Sequence, residues 1–194
     1  MLEINNLQQY TLDNILFVFA LDSEAGDNFN HVNKLITGIG KVNATVALTK
    51  EISRKKPDLI INLGSAGGYG FSKGEVICCT QFIQRDMDAQ GLGFKKFETP
   101  LSGIPTVIEH GVEFSGLKKG ICGSGDSFET NHVNTEYNVI DMEAYPLALI
   151  AMNEKIPFLC LKYISDDAGS DAANDWAEQV ILAAKAFEQI LFNN

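Results

Sequence analysis

The sequence predicts an α/β domain on a mostly parallel or mixed sheet, and three observations carry that expectation. Short apolar runs alternate with helical patterns, one such run from Pro157 to Ile164 stops abruptly at Ser165, Asp166 and Asp167, and the last stretch repeats apolar residues at helical spacing. Buried parallel strands are near-continuous apolar runs, because helices cover both faces of their sheet. The 194 residues, 45% of them hydrophobic, suit one domain spanning 1–194, long enough to bury roughly 70% of its unfolded surface.

Taken in order, the first strand runs from Ile15 to Leu21. A helix over about Val42 to Ile52 sets Ala44, Ala47, Leu48 and Ile52 on one face, and Pro57 then leads into a strand from Leu59 to Leu63. Gly64-Ser65-Ala66-Gly67-Gly68 follows, with the composition of a tight turn whose lack of bulk would let backbone amides approach a ligand. Val76 to Ile83 reads as a further strand, Gly91 to Gly116 as Gly-rich and irregular, and Gly120 to Gly123 as a short strand. From Val139 to Asn153 the pattern turns from strand to helix, and Pro146, tolerated best in a first helical turn, puts Met142 and Glu143 at the helix entrance. Asp171 signals the start of the final helix, on which Ala173, Trp176, Val180, Ala184, Phe187 and Leu191 share a face.

Composition excludes several function classes. A formal charge of −10 disfavours a phosphate-backbone partner, so nucleic acid is not expected and small molecules are. Residues 1–14 lack a basic region followed by an apolar core, and no apolar run approaches ~20 residues, so neither secretion nor membrane spanning is expected. Cys78, Cys79, Cys122 and Cys160 lie in apolar, strand-like runs, as buried thiols in a reducing compartment do, and the expected location is the cytoplasm. His31, His110 and His132 show no ligand spacing with them, and no metal or cofactor is assigned.

The candidate chemistry lies in carboxylates at element ends. An acid at the carboxyl end of a buried strand faces the crevice in which α/β sheets hold ligands, although Ser165 or Asp166 could equally cap the next helix. Glu143, beside outward-pointing amides, could accept from the hydroxyls of a ribose diol, or could simply favour the positive helix end. Gly38-Ile39-Gly40-Lys41 fails the phosphate-loop pattern, and Gly123-Ser124-Gly125 continues into Asp126-Ser127-Phe128 without a third glycine.

Six elements in order carry a more specific signal: Ala20-Leu21-Asp22-Ser23-Glu24, Gly38-Ile39-Gly40-Lys41-Val42, Asn62 to Gly68, Ser124 to Phe128, Asp141-Met142-Glu143-Ala144 and Ile164-Ser165-Asp166. Together they resemble the 5′-methylthioadenosine/S-adenosylhomocysteine nucleosidases of the purine nucleoside phosphorylase and uridine phosphorylase superfamily. The resemblance implies a three-layer α/β/α sandwich with a mixed, partly barrel-like central sheet, assembled as a homodimer. It implies Asp166 as the general acid at purine N7 and Glu24 as the carboxylate that activates water. It further implies that Glu143 and the Met142 amide hold the ribose, that Phe128 stacks on adenine, and that the Glu129 backbone reads the base edge. Leu21, Ile39 and Trp176 would lie near the 5′ substituent, with Ser65, Gly67 and Ser165 lining the site. Lys162 stands where such enzymes commonly carry an arginine, Arg85-Asp86-Met87-Asp88 is similar to a loop that serves their dimer, and the segments after Glu24 and Gly93 are short.

Cleaving an N-riboside passes through an oxocarbenium-like sugar, so the base must leave neutralised while water enters from the opposite face, as in inverting glycosidases. Separated carboxylates suit that task. Phosphorolysis is the alternative, and Asn62 argues against it: it occupies the place of a phosphate-holding arginine, and a neutral amide cannot grip a dianion. A nucleoside-binding module without turnover is the reading from a different class.

Overall fold

The computed structural model describes residues 2–4, 8–129, 135–166 and 172–192, with side chains of the last segment from Gln179 onward. A small antiparallel pair, β1 (Leu2–Ile4) and β2 (Gln8–Tyr10), precedes β3 (Ile15–Phe19), the short helix α1 (Asp22–Ala25) and β4 (Lys34–Ile36). Then come α2 (Lys41–Arg54), β5 (Leu59–Gly68), β6 (Val76–Gln84), β7 (Val107–Ile108), β8 (Lys118–Ser124) and β9 (Val139–Asp141). The chain ends in α3 (Ala144–Glu154), β10 (Phe158–Asp166) and α4 (Ala172–Phe192).

The sheet is mixed and closes on itself. β5 pairs parallel with β10, β10 antiparallel with β6, β6 parallel with β8, β8 parallel with β9, and β9 antiparallel with β5. β3 and β4 extend the sheet from β5, and β7 adds to β6. One edge of β5 serves two neighbours, pairing with β3 over Leu59–Asn62 and with β9 at Gly67 and Gly68.

That division of labour corrects the expectation of a turn at Gly64–Gly68. The segment stays extended as the second half of a ten-residue strand. Its small residues are needed because the barrel is tight there: a Cβ on Gly68 would lie 2.8 Å from Ile164 Cδ1. Elsewhere the expected strands appear with shifted ends, the first stopping at Phe19 rather than Leu21 and the Gly120 strand lengthening to Lys118–Ser124.

Alternation along β3 and β5 sorts their side chains between two cores. Leu16, Val18 and Ile60 pack with Ala44 and Leu48 of α2 and with Leu147, Ala148 and Ala151 of α3. Ile15, Phe17, Phe19, Leu59, Ile61 and Leu63 pack instead with Ala25 of α1 and with Ala183, Phe187 and Leu191 of α4. The segment after Glu24, polar in composition, contributes to the second core through Phe29, which meets Phe17 and Phe19 at ring-centroid distances of 5.9 and 5.1 Å. Aromatic burial of this kind is worth several CH₂ groups of hydrophobic transfer, so the short segment is anchored rather than trailing.

All four cysteines are buried and free. Burial pushes the Cys78 thiol up to about 12 and Cys122 up to about 11, values at which a thiol is unreactive near neutrality. His31 packs edge-on to Phe192 and His110 Nε2 lies 2.8 Å from the Ile156 carbonyl oxygen, while His132 is outside the described residues. Among the described residues no helix is long and apolar enough to cross a membrane, and no cluster of His, Cys, Asp and Glu is placed to hold a metal ion.

Candidate active site

The carboxyl ends of β5 and β10, the α1 turn and the start of α3 surround a cavity of about 410 Å³. Glu24, Glu143 and Asp166 all line it, although they come from three separate elements. Each is nearly inaccessible, with 4%, 8% and 3% of its surface exposed.

Glu24 is fixed by donors on both oxygens. Its Oε1 accepts from the Ser65 amide at 2.9 Å and the Ser65 hydroxyl at 2.8 Å, and Oε2 accepts from the Leu21 amide at 3.1 Å. The bond to Ser65 exists because β5 continues past Leu63. Gly64 clears the way, since a Cβ there would sit 3.3 Å from Glu24 Oε1.

Asp166 closes β10. The Ser165 hydroxyl donates to Asp166 Oδ2 at 2.7 Å, so this serine orients the acid within the strand. Asp167 lies outside the described residues.

Glu143 stands at the first position before α3, yet its carboxylate does not serve that helix. Glu143 Oε1 accepts from the Gly40 amide at 2.7 Å, across the cavity wall. The free amides of α3 are met from β8 and β9: Ala144 N donates to Asp141 Oδ2 at 2.8 Å and Tyr145 N to Ser124 Oγ at 2.8 Å. Ser124 Oγ in turn donates to Asp141 Oδ1 at 2.5 Å. Burial, and then the Asp141 charge, raise the Glu143 carboxyl to about 7.

Beneath this wall lies a buried cation. Lys162 Nζ is 2.8 Å from Asp141 Oδ2, with both side chains almost fully enclosed. Burial alone would lower the Lys162 ammonium and raise the Asp141 carboxyl, and their mutual attraction reverses both, holding the lysine well above and the aspartate below its ordinary value. Lys162 therefore spends its charge on Asp141, where an arginine could have forked to two acceptors.

The segment Gly125–Glu129 forms a wall of different character. Ser127, Phe128 and Glu129 line the cavity with Arg85 at the end of β6, and Phe128 is 52% exposed. Leu21, Ile39, Ser65, Gly67, Met142 and Ser165 complete the expected lining, joined by Ala20, Ala66, Ile140 and Asp141. The Trp176 side chain is outside the described residues. Arg85 and Asp141 were not expected to line the cavity: each sits inside a quoted motif, but their partners at residues 125–129 and 162 are distant in sequence.

Residues 29–193 match the phosphorylase superfamily. Among curated proteins, the 5′-methylthioadenosine/S-adenosylhomocysteine nucleosidase of Marinomonas sp. (strain MWYL1) is 30% identical over 172 residues, covering 78% of this chain and 74% of the relative. That of Haemophilus influenzae (strain PittEE) is 30% identical over 178 residues, covering 81% and 78%. Two solved structures share the fold. The Helicobacter pylori 5′-methylthioadenosine/S-adenosylhomocysteine nucleosidase complexed with a pyrrolidine-based compound has a TM-score of 0.82 at 18% identity, covering 93% of this chain and 97% of that one. The Helicobacter pylori futalosine hydrolase also has a TM-score of 0.82 at 18% identity, with 92% and 95% covered.

Proposed function

The chain belongs to the phosphorylase superfamily and, within it, to the 5′-methylthioadenosine/S-adenosylhomocysteine nucleosidases, and from that premise we propose that it hydrolyses the N-glycosidic bond of a 5′-substituted adenosine. The products are adenine and the free ribose derivative. One observation carries the reading: Glu24, Glu143 and Asp166, far apart in sequence, open into one cavity.

In this mechanism Asp166 gives a proton to purine N7 as the bond to the sugar lengthens, so that the base departs neutral. Glu24, held by Ser65 and Leu21, orients and activates a water molecule on the opposite side of the ring. Glu143 and the Met142 amide take the ribose hydroxyls. A diol donating to Glu143 favours its ionised form, so substrate draws this carboxyl away from its raised value. Phe128 stacks on the adenine and the Glu129 backbone meets its edge. Leu21 and Ile39 face the 5′ group. General acid catalysis typically supplies ~10²- to 10⁴-fold, and electrostatic stabilisation of the sugar cation by the surrounding carboxylates supplies a further share.

Hydrolysis is favoured over phosphorolysis by the surroundings of Asn62. Its Nδ2 donates to the Val18 carbonyl at 3.2 Å, its Oδ1 accepts from Cys160 Sγ at 3.4 Å, and it is absent from the cavity lining. It holds the core together and offers nothing to a phosphate. The same reading includes a single domain, layered α/β/α with α2 and α3 on one side of the sheet and α1 and α4 on the other, acting in the cytoplasm as a homodimer.

The test is a panel of purine nucleosides assayed for free base with and without phosphate. Phosphate-independent release of adenine from methylthioadenosine is expected. Release that requires phosphate and yields ribose 1-phosphate would establish the phosphorylase instead, and binding without any release would leave a nucleoside-binding module.

A further inference from the structure

Phe128 poses a mechanical problem. A ring that is 52% exposed has little packing of its own to fix it, yet a stacking surface must hold its angle to the base. Whatever fixes this ring must act through the backbone on either side.

The Arg85 guanidinium reaches both sides. Nη2 donates to the Gly125 carbonyl at 3.3 Å and also to the Ser127 carbonyl. Nη1 donates to Ser127 Oγ at 3.1 Å and lies 3.3 Å from Glu129 Oε2. Residues immediately before and after Phe128 are thus tied to one planar group whose side chain is only 6% exposed. The approach is close: a Cβ on residue 125 would meet Arg85 Cζ at 2.9 Å.

Among the described residues, the buried Arg85 Nε has no hydrogen-bond partner. An orphaned donor is costly, and a lysine would not carry one. A lysine, however, is a point charge that cannot span acceptors on three residues. The neighbouring Asp86 acts on the same segment: its Oδ2 accepts from the Asp126 amide at 2.9 Å and its Oδ1 from Lys41 Nζ at 2.5 Å, while Asp126 Oδ1 accepts from the Lys41 amide at 2.8 Å.

We infer that Arg85, seconded by Asp86, is a positioning residue that sets the base-stacking wall by clamping Gly125–Glu129 around Phe128. Within this chain the side chains of the Arg85-Asp86 dipeptide bond to Gly125–Glu129 and to Lys41. This rests on the reading of Phe128 as the base-stacking ring.

Binding of free adenine, and kcat and KM for methylthioadenosine, test the clamp in Arg85→Lys, Phe128→Ala and the double variant. Arg85→Lys keeps the charge and loses the fork, so adenine affinity and kcat/KM are expected to fall by up to about tenfold, no more than the loss of the one base stack that the clamp sets. The decisive readout is non-additivity: with Phe128 already removed, Arg85→Lys should cost less than threefold more. Additive losses would mean that Arg85 contacts the base itself or only supports the fold, and would overturn the inference. Should Arg85→Lys fail to fold, Glu129→Gln, which weakens one arm of the clamp, runs the same cycle with a smaller loss. Wild-type protein that binds no adenine overturns the functional reading and the clamp together, whereas wild-type binding left unchanged in Arg85→Lys overturns the clamp alone.

Discussion

The proposed sugar end and base end of the cavity are built by opposite means. At the sugar end Glu24 and Glu143, and beside the base Asp166, are set by strand ends and a helix start, and each is nearly enclosed. Their positions follow from the barrel itself, through Ser65 on β5, Ser165 on β10 and the Lys162–Asp141 pair under α3. At the base end, the wall is a segment outside any strand, with a half-exposed ring held by side chains of a neighbouring loop. On the proposed reading, the difference teaches that chemistry is assigned to the part that cannot move without opening the sheet, and recognition to a part that a few hydrogen bonds can reshape. Substitutions at the sugar end should therefore damage turnover or stability, and those at the base end affinity alone.

The largest effect is expected at Asp166. Asp166→Asn keeps the shape of the carboxyl and removes its proton, so adenine release should fall by about 10²- to 10⁴-fold or more while nucleoside binding persists. Steady-state kinetics beside calorimetric binding checks this, and normal turnover would remove Asp166 from the mechanism.

Next comes the buried pair. Lys162→Met leaves Asp141 with Ser124 and the Ala144 amide but without its counter-charge, and such a loss costs about 3–5 kcal/mol. Urea unfolding should show it, with Lys162→Arg far milder and the double change Lys162→Met/Asp141→Asn recovering part of the loss. If Lys162→Met unfolds like the wild type, the sugar end is not anchored by this pair. Phe128→Ala should behave in the contrary way, weakening adenine by about tenfold, the scale of one base stack, while stability moves by less than about 0.5 kcal/mol.

The contrast between the ends also explains what the sequence disclosed. Apolar runs such as Phe158–Ile164 and the helical face of α2 follow from local periodicity, and Asp166 could be named because it ends a strand and Glu143 because Pro146 marks a helix entrance, whereas Glu24 was named by the family resemblance. Gly64–Gly68 misled because its composition suits a turn, whereas the deciding fact is the approach of Ile164 from a strand about a hundred residues away. Phe29 was hidden among polar neighbours, its burial depending on rings of β3. Sheet closure through β5 and β10, and the links from Arg85 to Gly125–Glu129, are pairings between distant segments on which neither composition nor period bears.

The smallest effect sharpens the electrostatics of the sugar end. Glu143 binds its proton more tightly in the folded chain, where burial and Asp141 raise it from 4.5 to about 7. Between those values the folded state carries more of this proton than the unfolded state, so stability should fall as pH rises through the window, with the penalty complete above about 7. Asp141 has the opposite sign, because its lowered value stabilises the fold above the ordinary carboxylate range and is lost only on acidification below it. The two contributions therefore separate along the pH axis. Urea midpoints taken from about pH 5 to about pH 8 should decline in the wild type and decline less in Glu143→Gln, which holds no titrating proton at that place. Equal slopes in the two proteins would mean that the proton taken up belongs to another group, and that the raised Glu143 carboxyl is no part of how this wall meets a sugar.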